Sequence, residues 1–227
     1  GRLGEIPDYV AMFEAAYPGT PFEKMNFAHA ANAIAGFEVD AFQALDSPWE
    51  DFVRGNDAAL KKRELKGAIA FFDGGCANCH SGNMFSDFQH HNTLLAQFGP
   101  GKGDGPTGSD DFGRFRETSD SADKYAFRTG TLLNIELTEP YGHTGQYGRL
   151  QRHVRHYRNP ETKLRNYDIT KHVVEQDLWS TQLDTAEDVI ATGSPLLDEV
   201  SITKSDVKRM TRFLKALTSE SSRDLRW

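Results

Sequence analysis

Cysteine is scarce in this sequence: the 227 residues contain two, Cys76 and Cys79. One bridge across so short a loop would stabilise nothing useful, so a disulfide framework is excluded. Positive charge is also in deficit, with 26 Lys and Arg against 33 Asp and Glu, a net charge of −7. This balance argues against nucleic acid as a partner, although an acidic surface would suit a small basic protein.

Long apolar runs are absent as well. No run approaches the roughly 18–20 residues that a membrane-spanning helix requires, so we expect no membrane partner. The first residues, GRLGEIP, lack the apolar region of a signal peptide, so an exported form would have lost its signal. What the sequence does contain is aromatic: its fifteen Phe suggest a core that packs around something flat and apolar.

The two cysteines lie in the sequence GGCANCHSG, residues 74–82. Two residues between the cysteines match the spacing of the two haem vinyl groups, and a His directly after the second cysteine can bind the iron. A thioredoxin-like pair would need a βαβ context, and a zinc site would need about four ligands. A chance occurrence of the pattern is the third alternative. The motif predicts one covalent haem c on Cys76 and Cys79, with His80 as an axial ligand.

Apolar periodicity predicts a mainly α fold with long loops. A stripe of Leu65, Ile69 and Phe72 marks one helix, and Val207, Met210, Phe213, Leu214 and Leu217 mark the last one, capped by Thr203. The predicted helices cover residues 7–19, 26–45, a short stretch from Ser47-Pro48, 61–72, 147–158 and 203–218. Residues 97–123 have the composition of a long loop, which either covers a cofactor edge or is a disordered insertion.

The second axial ligand is a separate question. None of the four Met is well placed to bind the iron as the second axial ligand, and the apolar stripe of the last helix indicates that Met210 is a core residue. On the helix at 147–158, Tyr147, Leu150, Val154 and Tyr157 share one stripe, His153 sits at its margin and His156 points away. Tyr157 is therefore a candidate ligand, with His153 as its competitor. A tyrosine that only packs in the core is the alternative.

Three blocks then match one family in order: GAIAFF before the haem motif, FRTGTLLN at residues 127–134, and LTEPYGHTG at residues 137–145. Over about residues 8–218 the chain resembles the bacterial dihaem cytochrome c peroxidase and MauG family. The resemblance implies that residues 46–227 form a c-type cytochrome domain, the C-terminal of the family's two. Residues 1–45 would be a helical remnant of, or contact to, an N-terminal haem domain. A second haem motif is missing, so we expect either a fragment or a protein that works with one haem.

The resemblance also implies site residues. The count of seventeen from Pro140 to Tyr157 is the count to the iron ligand in this family, where MauG-type members have a Tyr. Thr138 and Pro140 match positions whose backbone carbonyls bind calcium between the two domains. His143 matches a His near the haem edge, with a purely structural His as the alternative. Gly130, Leu133 and Gly142 depart from the family pattern.

The function implied is that of an oxidoreductase: the electron-transfer haem domain of a periplasmic dihaem enzyme that reacts with hydrogen peroxide. Its partner would be a small redox protein in the peroxidase version, or a protein substrate in the MauG version. Two other functions remain open, a stand-alone monohaem electron carrier and a five-coordinate ligand-binding sensor.

Overall fold

The computed structural model describes residues 2–41 and 45–223, and the chain divides between residues 43 and 44 into two compact units. The described α-helices are α1 Pro7–Ala16, α2 Phe27–Ala41, α3 Pro48–Val53, α4 Lys62–Asp73, α5 Phe115–Thr118, α6 Leu150–His156, α7 Pro160–Arg165, α8 Ala186–Ala191, α9 Lys204–Lys215 and α10 Glu220–Arg223. Short 3₁₀ turns cover Arg2–Glu5, Phe22–Lys24, Cys76–Asn78, Ser121–Asp123, Ile135–Leu137, Ile169–Lys171, Gln176–Thr181 and Pro195–Glu199. Two short strands, β1 His90–His91 and β2 Phe127–Arg128, pair antiparallel. The mainly α prediction is confirmed.

The first unit contains α1 and α2. The Tyr17 hydroxyl donates to the His29 carbonyl at 3.2 Å, which ties the end of α1 to the start of α2. The helix predicted for residues 26–45 is α2 as far as Ala41, and residues 42–44 lie outside the described part. No described residue of this unit is buried, and Phe27 is 85% exposed. Phe27, Ile34 and Val39 are therefore apolar side chains left largely exposed on α2.

In the second unit, α4 and α9 pack against each other. α9 starts at the predicted cap: Thr203 Oγ1 accepts from Asp206 N at 3.2 Å, and Asp206 Oδ2 accepts from Thr203 N at 2.9 Å. The helices approach closely at Gly67, where a Cβ would collide with the Arg209 carbonyl. The absence of a side chain at Gly67 sets this separation.

The predicted stripe on α4 was wrong. Leu65, Ile69 and Phe72 are 38%, 53% and 46% exposed, whereas Gly67, Ala68 and Phe71 are buried. The prediction followed the large apolar residues, but α9 packs against the face with the small ones because only that face allows close approach. The stripe predicted for α9 is confirmed, with Phe213 and Leu217 fully buried.

Two hydrophobic clusters form the core of the second unit. The first is centred on α4, α6 and α9 and contains Ala68, Phe71, Phe85, Tyr141, Leu150, Val154, Val207, Met210, Phe213, Leu214 and Leu217. The second is formed by Leu94, Ala96, Phe98, Tyr125, Tyr147, Leu164, Tyr167, Ile169, Val173 and Val189. α3 starts at Pro48 after the Ser47 cap, as predicted, and places Trp49 against the first cluster.

Two further differences from the sequence predictions concern the loop and the C-terminal end. Residues 97–123 are not a structureless insertion, because they contain α5 and a 3₁₀ turn, and Phe98 and Asp111 are buried. The last predicted helix, α9, is followed by α10. None of the described helices combines the length and the apolar character needed to span a membrane.

Candidate haem site

A cavity of about 400 Å³ lies in the second unit. Its walls come from the cysteine motif, β2 and the residues after it, residues 138–143, α6, residues 194–202 and α9. Phe71, Leu150, Val154, Met210 and Leu214 extend from the first cluster into this wall. The cavity is therefore lined mainly by apolar side chains, with a few polar groups, as cofactor sites are.

The cysteine motif follows directly from the end of α4. Gly75 has φ +82° and lies against the Glu199 carbonyl, so a side chain there would collide with backbone. The turn Cys76–Asn78 then brings Cys76, Cys79 and His80 to the cavity. The structure thus places all three predicted haem residues in one wall.

The cysteines have the electrostatics of inert thiols. Burial raises the pKa of Cys76 to about 12, and burial with the nearby Asp87 and Glu199 charges raises the pKa of Cys79 to about 11. A catalytic thiol–disulfide pair needs a lowered thiol pKa, which stabilises the thiolate. The thioredoxin-like alternative therefore does not fit this environment.

His80 is held in a ligating orientation. Its Nδ1 lies 2.9 Å from the Phe85 carbonyl, which can only accept, so Nδ1 carries the proton and donates. Burial lowers the pKa of the imidazole, which favours the neutral form. The remaining nitrogen, Nε2, is then free to bind a metal, and the Phe85 carbonyl fixes the ring as outer partners do at metal sites.

Both candidates for the opposite axial position line the cavity. α6 ends at His156, with Tyr157 as its C-terminal cap, and the rings of His153 and Tyr157 meet edge to face at 5.5 Å. Burial raises the pKa of Tyr157 to about 12, although a hydrogen bond with Thr93 opposes the shift. The phenol is therefore neutral unless a cation drives off its proton. His153, predicted at the margin of the stripe, also lies in the cavity wall.

His156 does not line the cavity, in keeping with its predicted position away from the stripe, but it is enclosed by protein. This residue is 1% exposed, and its Nε2–H donates to the Thr93 carbonyl at 2.8 Å. Its Nδ1 accepts from the Tyr147 hydroxyl at 3.1 Å. This side of α6 packs beside the second cluster, to which Tyr147 belongs.

His143, Thr138 and Pro140 also line the cavity. His143 stacks on Phe127, and its Nε2 lies 2.8 Å from Asp111 Oδ2. The sequence reasoning missed Asp111, because the long loop brings it from 32 residues away and no local pattern marks it. The carboxylate orients the imidazole at the cavity edge.

A second group that sequence reasoning missed is Cys79, Asp87 and His91, whose donor atoms lie within 4.8 Å of one another. Among the described residues no fourth His, Cys, Asp or Glu joins them, so the four-ligand zinc site is not completed. A thioether at Cys79 would remove the thiolate from this group. Asp87 and His91 would then remain as a pair beside the haem attachment, with Asp87 Oδ2 2.8 Å from His91 Nε2.

These residues fit a covalently attached haem. Two thiols, the His80 imidazole with a free nitrogen, the Tyr157 phenol and the His153 imidazole share one largely apolar cavity. The buried Nδ1 of His153 has no hydrogen-bond partner among the described residues, which marks a polar atom whose surroundings are incomplete.

Comparison with known proteins identifies the family. The family model described as di-haem cytochrome c peroxidase matches residues 1–58. The chain is 38% identical to the cytochrome c551 peroxidase of Pseudomonas aeruginosa over 152 residues, 66% of this chain and 42% of that protein. The chain belongs to the dihaem cytochrome c peroxidase and MauG family. The family resemblance inferred from the sequence is confirmed, and haem c is the cofactor of this family.

Other members of the dihaem family are similar over comparable lengths. The methylamine utilization protein MauG of Methylorubrum extorquens is 30% identical over 69% of this chain and 41% of its own length. A crystal structure of a MauG-like protein associated with microbial copper homeostasis superposes with a TM-score of 0.65 at 26% identity, over 96% of this chain and 61% of that one. The dihaem peroxidase BthA of Burkholderia thailandensis has the same fold, with a TM-score of 0.64 at 18% identity, over 97% and 58%. The chain spans less than half the length of these curated relatives.

Proposed function

We propose that this chain is the electron-transfer haem domain of a periplasmic dihaem oxidoreductase that reacts with hydrogen peroxide. The observation that carries the proposal is the convergence of Cys76, Cys79, His80 and Tyr157 on one cavity. The relatives are named as cytochrome c peroxidases and MauG, which favours this function over a stand-alone monohaem carrier. A five-coordinate sensor is disfavoured because two further donor side chains, His153 and Tyr157, line the same cavity as His80.

Each residue has a defined task. Cys76 and Cys79 would form the two thioethers, and His80 would bind the iron through Nε2. Tyr157 would supply a phenolate oxygen to the iron, and the Thr93 side chain, which lowers the pKa of the phenol, would support that phenolate. The bound haem supplies one-electron redox chemistry, and a hard phenolate donor favours its oxidised states and a low potential.

The rest of the enzyme belongs to other segments. The exposed apolar residues of the first unit, including Phe27, Ile34 and Val39, would pack against an N-terminal haem domain. Electrons would enter from a small redox protein, or leave a protein substrate in MauG-type chemistry. The Thr138 and Pro140 carbonyls would hold calcium together with a ligand from that other domain, because oxygen donors suit this ion.

The decisive test is the ferric spectrum of the haem-loaded chain. Tyr157→Phe keeps the ring and removes the donor oxygen, so the optical and EPR spectra should change while the fold is retained. His153→Ala is the matched control on the same helix and should leave the ferric spectra as they are. Unchanged spectra in Tyr157→Phe with altered spectra in His153→Ala would assign the ferric ligand to His153 instead.

A further inference from the structure

Two potential iron ligands reach the cavity from α6 and its cap. His153 and Tyr157 are four residues apart and therefore share a face of the helix. Their rings are in contact, edge to face, at 5.5 Å and 79°. His80 occupies one axial position, so a single iron can accept only one of the two from the other side.

The surroundings of His153 single it out from the other cavity residues. Tyr141 stacks on its ring at 6.1 Å and Tyr147 packs at 5.7 Å, so the imidazole is enclosed by aromatic rings. Its Nδ1 is buried, and no residue in the described part of the chain forms a hydrogen bond with it. A buried polar nitrogen without a hydrogen bond lowers the stability of the fold, and such a group in a native protein calls for a functional explanation.

The comparison with His80 shows what kind of ligand His153 can be. The Phe85 carbonyl fixes the tautomer and orientation of His80, as expected of a permanent ligand. No acceptor fixes Nδ1 of His153, so its imidazole can bind through Nε2 but is not locked in that role. This arrangement suits a ligand that binds in only one state of the iron.

We propose that His153 replaces Tyr157 as the axial ligand when the haem iron is reduced. The proposal rests on the proposed ligation of ferric iron by Tyr157. A phenolate is a hard anionic donor that prefers ferric iron, whereas a neutral imidazole binds ferrous iron well.

The ligand exchange requires one electron and one proton. One electron from a small redox protein enters at the iron, and the Tyr157 oxygen takes one proton from water as its bond to iron breaks. A bond from His153 Nε2 then forms. Oxidation reverses each step.

The experiment compares ferric and ferrous haem-loaded chain by optical and resonance Raman spectroscopy. The unmodified chain should be six-coordinate and low-spin when ferrous. His153→Leu should keep the ferric spectrum and become five-coordinate and high-spin when ferrous. His172→Leu is the matched control, because this imidazole also has a buried, unpartnered Nδ1 but does not line the cavity. Its ferrous spectrum should match that of the unmodified chain.

Two results overturn the proposal: a five-coordinate ferrous state in the unmodified chain, or an unchanged ferrous spectrum in His153→Leu. If leucine prevents haem loading, His153→Ala with added imidazole decides, since imidazole should restore the low-spin ferrous spectrum and failure to do so counts against His153.

Tyr157→Phe separates ferric ligation by Tyr157 from the ligand exchange. An unchanged ferric spectrum there refutes Tyr157 as the ferric ligand and the exchange with it. A changed ferric spectrum, with no ferrous effect of His153→Leu, refutes the exchange alone.

Discussion

Gly67→Ala tests the packing on which the haem cavity depends. A Cβ at this position would collide with the backbone carbonyl of Arg209 and lie 2.8 Å from Phe213 Cβ, so α9 has to move away from α4. Overpacking of this kind costs about 1–3 kcal/mol. Alanine recovers up to about 1 kcal/mol through its higher helix propensity. A carbonyl in a helix cannot rotate out of the way as a side chain would, so the cost should lie at the upper end of this range, about 2–3 kcal/mol, and the expected net loss of unfolding free energy is about 1–2 kcal/mol.

The assay is thermal and denaturant unfolding of the haem-loaded chain, followed by circular dichroism and haem absorbance. A loss of this size lowers Tm by about 2–8 °C in a chain of this length. Gly36→Ala is the matched control, because this helical glycine has no heavy atom within 4 Å of the added Cβ. It should leave the midpoint unchanged or slightly raised. A Gly67→Ala chain as stable as the unmodified one would refute the argument from close helix approach.

Three other predictions concern attachment, activity and capping. Replacing both Cys76 and Cys79 with Ala should abolish protein-linked haem in pyridine-haemochrome spectra of the denatured chain, since the sequence has no other thiol; haem still linked would contradict the attachment. The isolated haem-loaded chain should turn over little hydrogen peroxide, and vigorous turnover with a six-coordinate haem would count against the need for a second domain. Thr203→Ala should lower the unfolding free energy by about 1 kcal/mol through loss of the α9 cap, measured from denaturant midpoints, and Thr203→Ser should retain the stability.

Features set by neighbouring residues could be predicted from the sequence. The haem motif is local, because two cysteines and a histidine within five residues can reach one ring only in a tight turn. α9 was predicted with its cap and its buried stripe because Thr203, Asp206 and the periodic apolar residues such as Phe213 belong to one continuous segment.

 

Contacts between distant segments could not be predicted in this way. Asp111 reaches His143 only because the long loop folds back across the cavity edge. Asp87 joins Cys79 and His91 through the turn that follows the haem motif. The loop at residues 97–123 is rich in Gly and Asp, which indicates irregular structure. It has no apolar periodicity that would indicate which carboxylate points inward.

α6 shows why periodicity alone gave an incomplete account of the second axial ligand. An amphipathic stripe assumes that one face of a helix is buried and the other meets water. α6 has buried residues on two sides: Leu150 and Val154 belong to the first cluster, while His156 bonds to Tyr147 of the second. Its polar residues are therefore enclosed as well, and each must find a partner or a ligand. His156 has its partners in Tyr147 and Thr93, whereas His153 has none for its Nδ1. That difference between two histidines one turn apart is why we propose His153, together with Tyr157, as a ligand of the haem iron.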